Sequence, residues 1–398
     1  MLKPLLRRLV IGLLLQSAAV TTAQAQTTDD LFNEGIVHTL EITIHSRDWD
    51  TLRVNFTSND FYPADVTWNG LRVRNVGIRS RGLGSRSGVK PGLQVDFDHY
   101  TSRGNFLGLR ALVLDNLTTD PSMIRERVAM AFYRRLGVPA PREVHANLYV
   151  NGQHLGVYVI VEPVDTVFVQ RWLGENSGAL YEYHWLTPYY ATFLGENLDV
   201  YRPFFEPRSL QTQSTFDLFD PIRELFRTIN GAPPGSFRDA VNARLDFEST
   251  LRLIAAESFL AEWDGILGYA GMNNFYLYRP LASAQARLFP WDADHTFHAA
   301  DYPLLAGAPE NVLMRRMLED PVLRARYFQL VLEAVTAASS GDWLVREVTN
   351  DYAQIRDSVL ADPFKPYTIE EFDAAFAELL TFARTRPAFV TSQVQQNR

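Results

Sequence analysis

The feature that most constrains this chain is a change of hydrophobic period part-way along it. Up to about residue 165 apolar and polar residues alternate, and beyond about Pro221 they recur at helical spacing. Residues 36–45, IVHTLEITIH, alternate as a half-buried strand does. DVTWNGLRVRNVGIRSRG, interrupted at Asn69-Gly70, reads as a hairpin, and GLQVDFD at 92–98 as a further strand. NLYVNGQHLGVYVIVEPV supplies two more around Asn151-Gly152. One helix interrupts them. Asp120 is its expected N-cap, Pro121 suits its first turn, Ile124, Val128, Ala131 and Phe132 form its apolar face, and Gly137 with Pro139 stops it. Residues 178–212 are aromatic and irregular. The helical remainder is interrupted by NNFYLYRP and ARLFPWDAD, two strand-like runs, and broken at Ser339-Ser340-Gly341 and Asp362-Pro363. The pattern predicts an α+β fold: a β-rich N-terminal lobe with one helix over 36–165, then a mostly helical lobe over 166–398.

Residues 1–25 are expected to stand outside that fold. Lys3, Arg7 and Arg8 precede LVIGLLL, and the segment closes on Ala23-Gln24-Ala25, the order of a cleavable secretory signal. That predicts a secreted, periplasmic or cell-surface protein, with no stable membrane span, because no apolar stretch is long enough. A formal net charge of −8 argues against general nucleic-acid binding. The chain has no cysteine, which excludes disulfides, thiolate nucleophiles and thiolate metal sites.

The candidate chemistry lies in FPWDADHTF, where Asp292 and Asp294 follow an apolar run. In an extended segment residues two apart point the same way, so both carboxylates could face one ion, and hard oxygen ligands suit magnesium, manganese or calcium. A solvated turn would produce the same pair. Upstream, AEWDGILGYAGMNNFYLY places Asp264 after an apolar helix, with Asn273 and Asn274 before a strand. Aspartate, then asparagine, then a metal-binding aspartate after a strand is the order used in protein kinases, although the first spacing is longer here. For fixed positive charge, Arg79 and Arg81 share a strand face in GIRSRG, and Lys90 follows a flexible loop that includes Arg86. Glu126, on the first helix, could pair with a phosphate-binding cation, and Glu162, after VYVIV, could mark the crossover where an adenine ring would sit. His295 and His298 beside the aspartates would suit a dinuclear hydrolase, but such a pair is more often structural. GxSxG, HExxH, P-loop and GxGxxG patterns are absent.

These pieces together resemble the CotH kinase family over residues 38–390. The matching motifs are GIRSRG with KPGLQVDFD, FLGLRALVLDN, DPSMIRERVAMAFYRRLGVP, YVNGQHLGVYVIVEPVD, GALYEY, AEWDG with NNFYLY, FPWDADHTF, RARYFQLV and FARTRPAFV. The resemblance implies a two-lobed, atypical protein-kinase-like fold that binds ATP with Mg2+ or Mn2+. It also implies transfer of the γ-phosphate to serine or threonine of secreted or coat proteins. Asp264 would then be the catalytic aspartate. Asn274, Asp292 and Asp294 would hold metal, and Arg81 with Lys90 would meet the phosphates. Gln94 stands where the family has a lysine, Arg81 where lysine is common, and His298 where glycine is usual. The competing expectations are a coat or surface binding protein that keeps the fold without the transfer, and a metal-dependent phosphoester hydrolase.

Overall fold

The structure, a computed structural model, describes residues 26–397; the expected leader at 1–25 lies outside them. After a capped single turn, α1 (Thr28–Leu31), the alternation read from the sequence becomes β1 (His38–Ile44), with Leu40, Ile42 and Ile44 turned inward. A short helix that the sequence pattern did not announce, α2 (Ser46–Val54), separates it from β2 (Tyr62–Trp68) and β3 (Leu71–Ser80). Asn69 and Gly70 both have positive φ, 48° and 78°, as a tight two-residue hairpin requires. β4 (Leu93–Asp96) and β5 (Ala111–Asp115) follow, then α3 (Arg125–Arg135). β6 (Glu143–Val150) and β7 (Gln153–Val161) turn at Asn151-Gly152, again with both φ positive.

The seven strands close into a barrel, in the order β1-β2-β3-β4-β5-β7-β6, with β6 parallel to β1. Its interior is a separate core around Leu40, Ile42, Val66, Trp68, Ile78, Leu93 and Leu112. The buried Trp68 indole donates to His38 Nδ1 at 3.1 Å, so the polar edge of the largest core side chain is satisfied.

The next elements are α4 (Thr166–Leu173), β8 (Ala179–Tyr183), β9 (Phe205–Pro207), α5 (Thr215–Gly231), α6 (Phe237–Asn242) and α7 (Phe247–Leu260). β10 (Phe275–Arg279) and β11 (Arg287–Pro290) complete a four-stranded antiparallel sheet ordered β11-β10-β8-β9. The chain ends in α8 (Val312–Glu319), α9 (Pro321–Ser339), α10 (Trp343–Ala361) and α11 (Ile369–Asn397). None of the described helices is long and apolar enough to cross a membrane. The molecule is therefore α+β, a barrel followed by a helical region with a small sheet.

Three local expectations are corrected. Asp120 does not start the helix: its carboxylate accepts from the Ser122 and Arg125 N–H groups, both at 2.8 Å, and α3 begins only at Arg125, after Met123 in a left-handed conformation. The stretch taken as irregular, 178–212, contributes two sheet strands. Nor is α3 the barrel's private helix. Its Phe132 stacks on Phe259 of α7 at 5.1 Å, and one continuous core includes α3, the outer faces of β5 and β7, and the helices that follow.

Candidate functional site

Asp264 is held by what surrounds its loop. Helix α7 ends at Ala261 with φ 53°, and two buried glutamates brace the next turn. Glu262 accepts from the Asp264 N–H at 2.8 Å, and Glu257 from the Ile266 N–H at 3.1 Å. A Cβ added at Gly265 would come within 2.8 Å of the Glu262 side chain and 2.9 Å of that of Glu257, so both braces would have to shift. Neither glutamate has a cation in ion-pair range among the described residues, and burial pushes Glu257 up to about 8. The Asp264 carboxylate accepts from the side-chain amides of Asn273, at 3.1 Å, and Asn274, at 3.3 Å. Asn274 also donates to the Asp264 carbonyl at 3.2 Å. Asp264 and Asn274, ten residues apart in the chain, are thus in direct contact. Burial raises the Asp264 pKa, with the asparagine amides and His295 acting against it.

The hairpin β10–β11 brings in the second half. Its register pairs Phe275 with Pro290, so Asn274, just before the first strand, lies beside Trp291 and next to Asp292, just after the second. The Trp291 N–H donates to the Asn274 carbonyl at 3.0 Å and locks this junction. Asp292 is not extended, as the two-residue argument assumed: its φ is 51°. Asn274 and Phe297 also have positive φ, 56° and 59°. Left-handed non-glycine residues concentrate where surrounding structure over-determines the backbone, often at functional sites. Asp292 is solvent-exposed, yet the protein atoms packed around its carboxylate desolvate it enough to drive its pKa up to about 6, against the pull of Arg81. Asp294 accepts from the Thr119 hydroxyl at 2.5 Å; desolvation and Asp292 push its pKa well up.

Other acids bear on the same carboxylates without any sequence spacing to announce them. Asp115, at the end of β5, adds negative potential to Asp292 and Asp294. Glu126, in the first turn of α3, feels Glu143, Asp292, Asp115 and Asp294, and its pKa is pushed well up by burial and by them. Among the described residues no cation lies within ion-pair distance of Glu126, so the expected kinase-like pairing is not what the structure contains. Glu143 is fully buried with both carboxylate oxygens unpartnered, and burial pushes it up to about 8.

The basic residues divide. Arg81 lies with its guanidinium 5.5 Å from the Trp291 ring, bears on Asp292, and forms no ion pair among the described residues. Arg79 is occupied, donating to Gln94, to Asn59 at 3.2 Å and to the Ser80 carbonyl at 3.1 Å. Arg86 donates to the carbonyls of Gly82, Phe56 and Ser58 and so pins its loop. Lys90 does not join Arg81. It is buried and paired with Asp362 at 2.7 Å, where α10 meets the barrel. Glu162 does end β7 as expected, but its carboxylate is committed to Arg142 at 2.9 Å and Arg171 at 2.5 Å. His295 and His298 pack on Trp263, with ring centroids 4.9 and 5.3 Å away.

A second group escaped the sequence reading. Ligand atoms of Glu182, His184 and Glu206 lie within 4.8 Å of one another. Arg208 already binds Glu182 and, at 3.2 Å, Glu206, so the positive charge a metal would bring is present. The antiparallel pairing of β8 with β9, Glu182 opposite Glu206, was the only signal, and those strands were not legible.

Comparison with known proteins places this geometry in context. The model of the family described as CotH kinase protein matches residues 78–390. The inner spore coat protein H of Bacillus subtilis (strain 168) is 25% identical over 378 residues, covering 90% of this chain and 98% of that one. The invasin CotH7 of Rhizopus delemar is 20% identical over 331 residues, covering 76% of this chain and 52% of that one. Among solved structures, the Helicobacter pylori proinflammatory kinase CtkA is 11% identical, with 77% of this chain and 94% of that one covered and a TM-score of 0.32. A chain of the Shewanella oneidensis MR-1 HipA–HipB–operator DNA complex is 12% identical, with 79% and 67% covered and a TM-score of 0.36. At those TM-scores the two structures carry no weight for the fold.

Proposed function

The chain belongs to the CotH kinase protein family, and from that premise we propose that it is an exported, divalent-metal-dependent protein kinase with an atypical kinase-like fold. Its substrates are ATP and serine or threonine hydroxyls of coat or surface proteins. The observation that supports this best is the junction of Asp264, Asn274 and Asp292, three residues from separate segments brought together by one hairpin and one loop.

The residues fit a hard cation. Asn274 turns its amide nitrogen to Asp264, which leaves its amide oxygen as a ligand atom, and Asp292 and Asp294 add carboxylate oxygens. The pKa values of Asp292 and Asp294 are raised first by desolvation and then by neighbouring acids, and a divalent ion would relieve the mutual repulsion of those acids. Mg2+ or Mn2+ held there would neutralise phosphate charge. Arg81, which forms no ion pair among the described residues, would meet the phosphate oxygens, while Lys90 and the Glu162 side chain are structural. Asp264 orients the acceptor hydroxyl and takes its proton as the hydroxyl oxygen bonds to the γ-phosphorus and the bond to the departing ADP oxygen breaks. Most of the acceleration comes from positioning and charge neutralisation.

Purified mature protein incubated with γ-labelled ATP, Mn2+ and candidate acceptor proteins tests the reading. Label on protein supports it. Free phosphate alone would indicate the hydrolase, and neither product a binding protein that keeps the fold without the transfer.

A further inference from the structure

The C-terminal motif FARTRPAFV, residues 382–390, has no part in these roles, yet its Arg386 is fully buried. Among the described residues the guanidinium has no carboxylate in ion-pair range; its partners are carbonyl oxygens. From α11, Nε donates to Phe259 at 2.9 Å and Nη2 to Ser258 at 2.6 Å. Nη1 donates to Ala300 at 3.0 Å and to Tyr302 at 2.6 Å. The rings of Phe382 and Phe389 lie 5.7 and 5.3 Å from it. Burial lowers its pKa to about 10, which leaves it charged near neutrality.

The carbonyls come from two segments. Ser258 and Phe259 are in the last turn of α7, directly before the loop of Asp264. Ala300 and Tyr302 follow the segment of Asp292 and Asp294. The Phe297 N–H donates to the Leu260 carbonyl at 2.6 Å and joins the same two segments. If only volume were needed, an apolar side chain would fill this position at lower desolvation cost. A planar fork of five N–H groups can instead hold carbonyls from two directions, and the negative end of the α7 dipole favours a cation there.

We propose that Arg386 is a positioning residue, clasping the Asp264 loop to the segment that follows Asp292 and Asp294 and so fixing the two halves of the site against each other. This rests on the reading that those residues act as one site. Arg386→Met removes the fork and the charge at similar volume, whereas Arg386→Lys keeps the charge but donates from a single atom. Arg316→Met is the control, since Arg316 also donates to main-chain carbonyls, of Ile229 at 2.5 Å and of Ala232, but at the end of α5, which bears no site residue.

Both Arg386 variants are expected to lose kcat for phosphoryl transfer by on the order of 100-fold, the scale of an ångström-level misplacement. They should also bind Mn2+ more weakly, read from the electron paramagnetic resonance signal of the free ion. Arg316→Met should melt earlier and keep both properties. A folded Arg386 variant with wild-type kcat and Mn2+ affinity overturns the proposal, and if Arg386→Met does not fold, Arg386→Lys decides. If wild type transfers no phosphate, the kinase reading fails and Mn2+ affinity alone decides the positioning role. A wild-type protein that binds no Mn2+ overturns both.

Discussion

Glu126 and Arg127 are neighbours on α3 and face opposite environments. Arg127 turns to the seam between barrel and helices, where it meets Glu347, Asp351 at 2.7 Å and Glu34 at 3.2 Å. Along that seam charges are matched: Lys90 has Asp362, and Glu162 has Arg142 and Arg171. Glu126 is instead buried among acids: burial raises its pKa, Glu143, Asp292, Asp115 and Asp294 add to the effect, and Arg81 pulls against it only at Asp292. Matched charges hold a fold together. A surplus of one sign in a cleft costs stability unless a ligand completes it. The seam is matched in charge, and the group around Asp292 and Asp294 carries an acidic surplus.

Substitutions on the two sides should therefore fail in different ways. The largest effect is expected at Asp264→Ala, which should reduce phosphoryl transfer by about 10²–10⁴-fold while nucleotide binding persists, read by labelled transfer and by equilibrium nucleotide binding. Lys90→Met should cost about 3–5 kcal/mol in denaturant unfolding, because it leaves Asp362 buried with its charge unmatched. Mn2+ affinity of the folded Lys90 variant should not change; a drop would merge the seam and the acidic cluster into one unit.

Asp292→Asn should weaken Mn2+ binding by at least about 10-fold with little change in melting temperature. In wild type the same affinity should fall as pH drops through about 6, since Asp292 must lose its proton to act as a ligand and its pKa is raised to about 6. The smallest change is expected at Glu143→Gln. Glu143 has a folded pKa raised to about 8, above its unfolded value, so its contribution is present at low pH and lost as pH rises through that window. The amide should therefore match wild type near pH 5 and melt higher near pH 9, by the equivalent of about 1–3 kcal/mol. An equal shift at both pH values would mean that Glu143 is not protonated in the fold.

What could be read from the chain follows the same division. β1 to β4 and both Asn-Gly turns were legible because alternation and positive φ are local properties. The start of α3 was misplaced because Asp120-Pro121-Ser122 has the composition of a cap, while its carboxylate serves a preceding turn. Lys90 looked like a phosphate ligand in a basic loop, and its partner lies 272 residues away, beyond any spacing argument. Asp264, Asn274 and Asp292 were found together because their order matched a known chemistry. Asp115, Glu126 and Glu143 come to this acidic cluster from three separate elements, and only the closed barrel with α3 against it assembles them.

The most direct test is the position of the ion itself. Crystals of the protein grown with Mn2+ and a non-hydrolysable ATP analogue should give an anomalous manganese peak about 2–2.5 Å from oxygens of Asp292 and Asn274, with a phosphate against Arg81. A peak at Glu182, His184 and Glu206 instead, or no peak beside Asp292 at saturating Mn2+, would contradict the account.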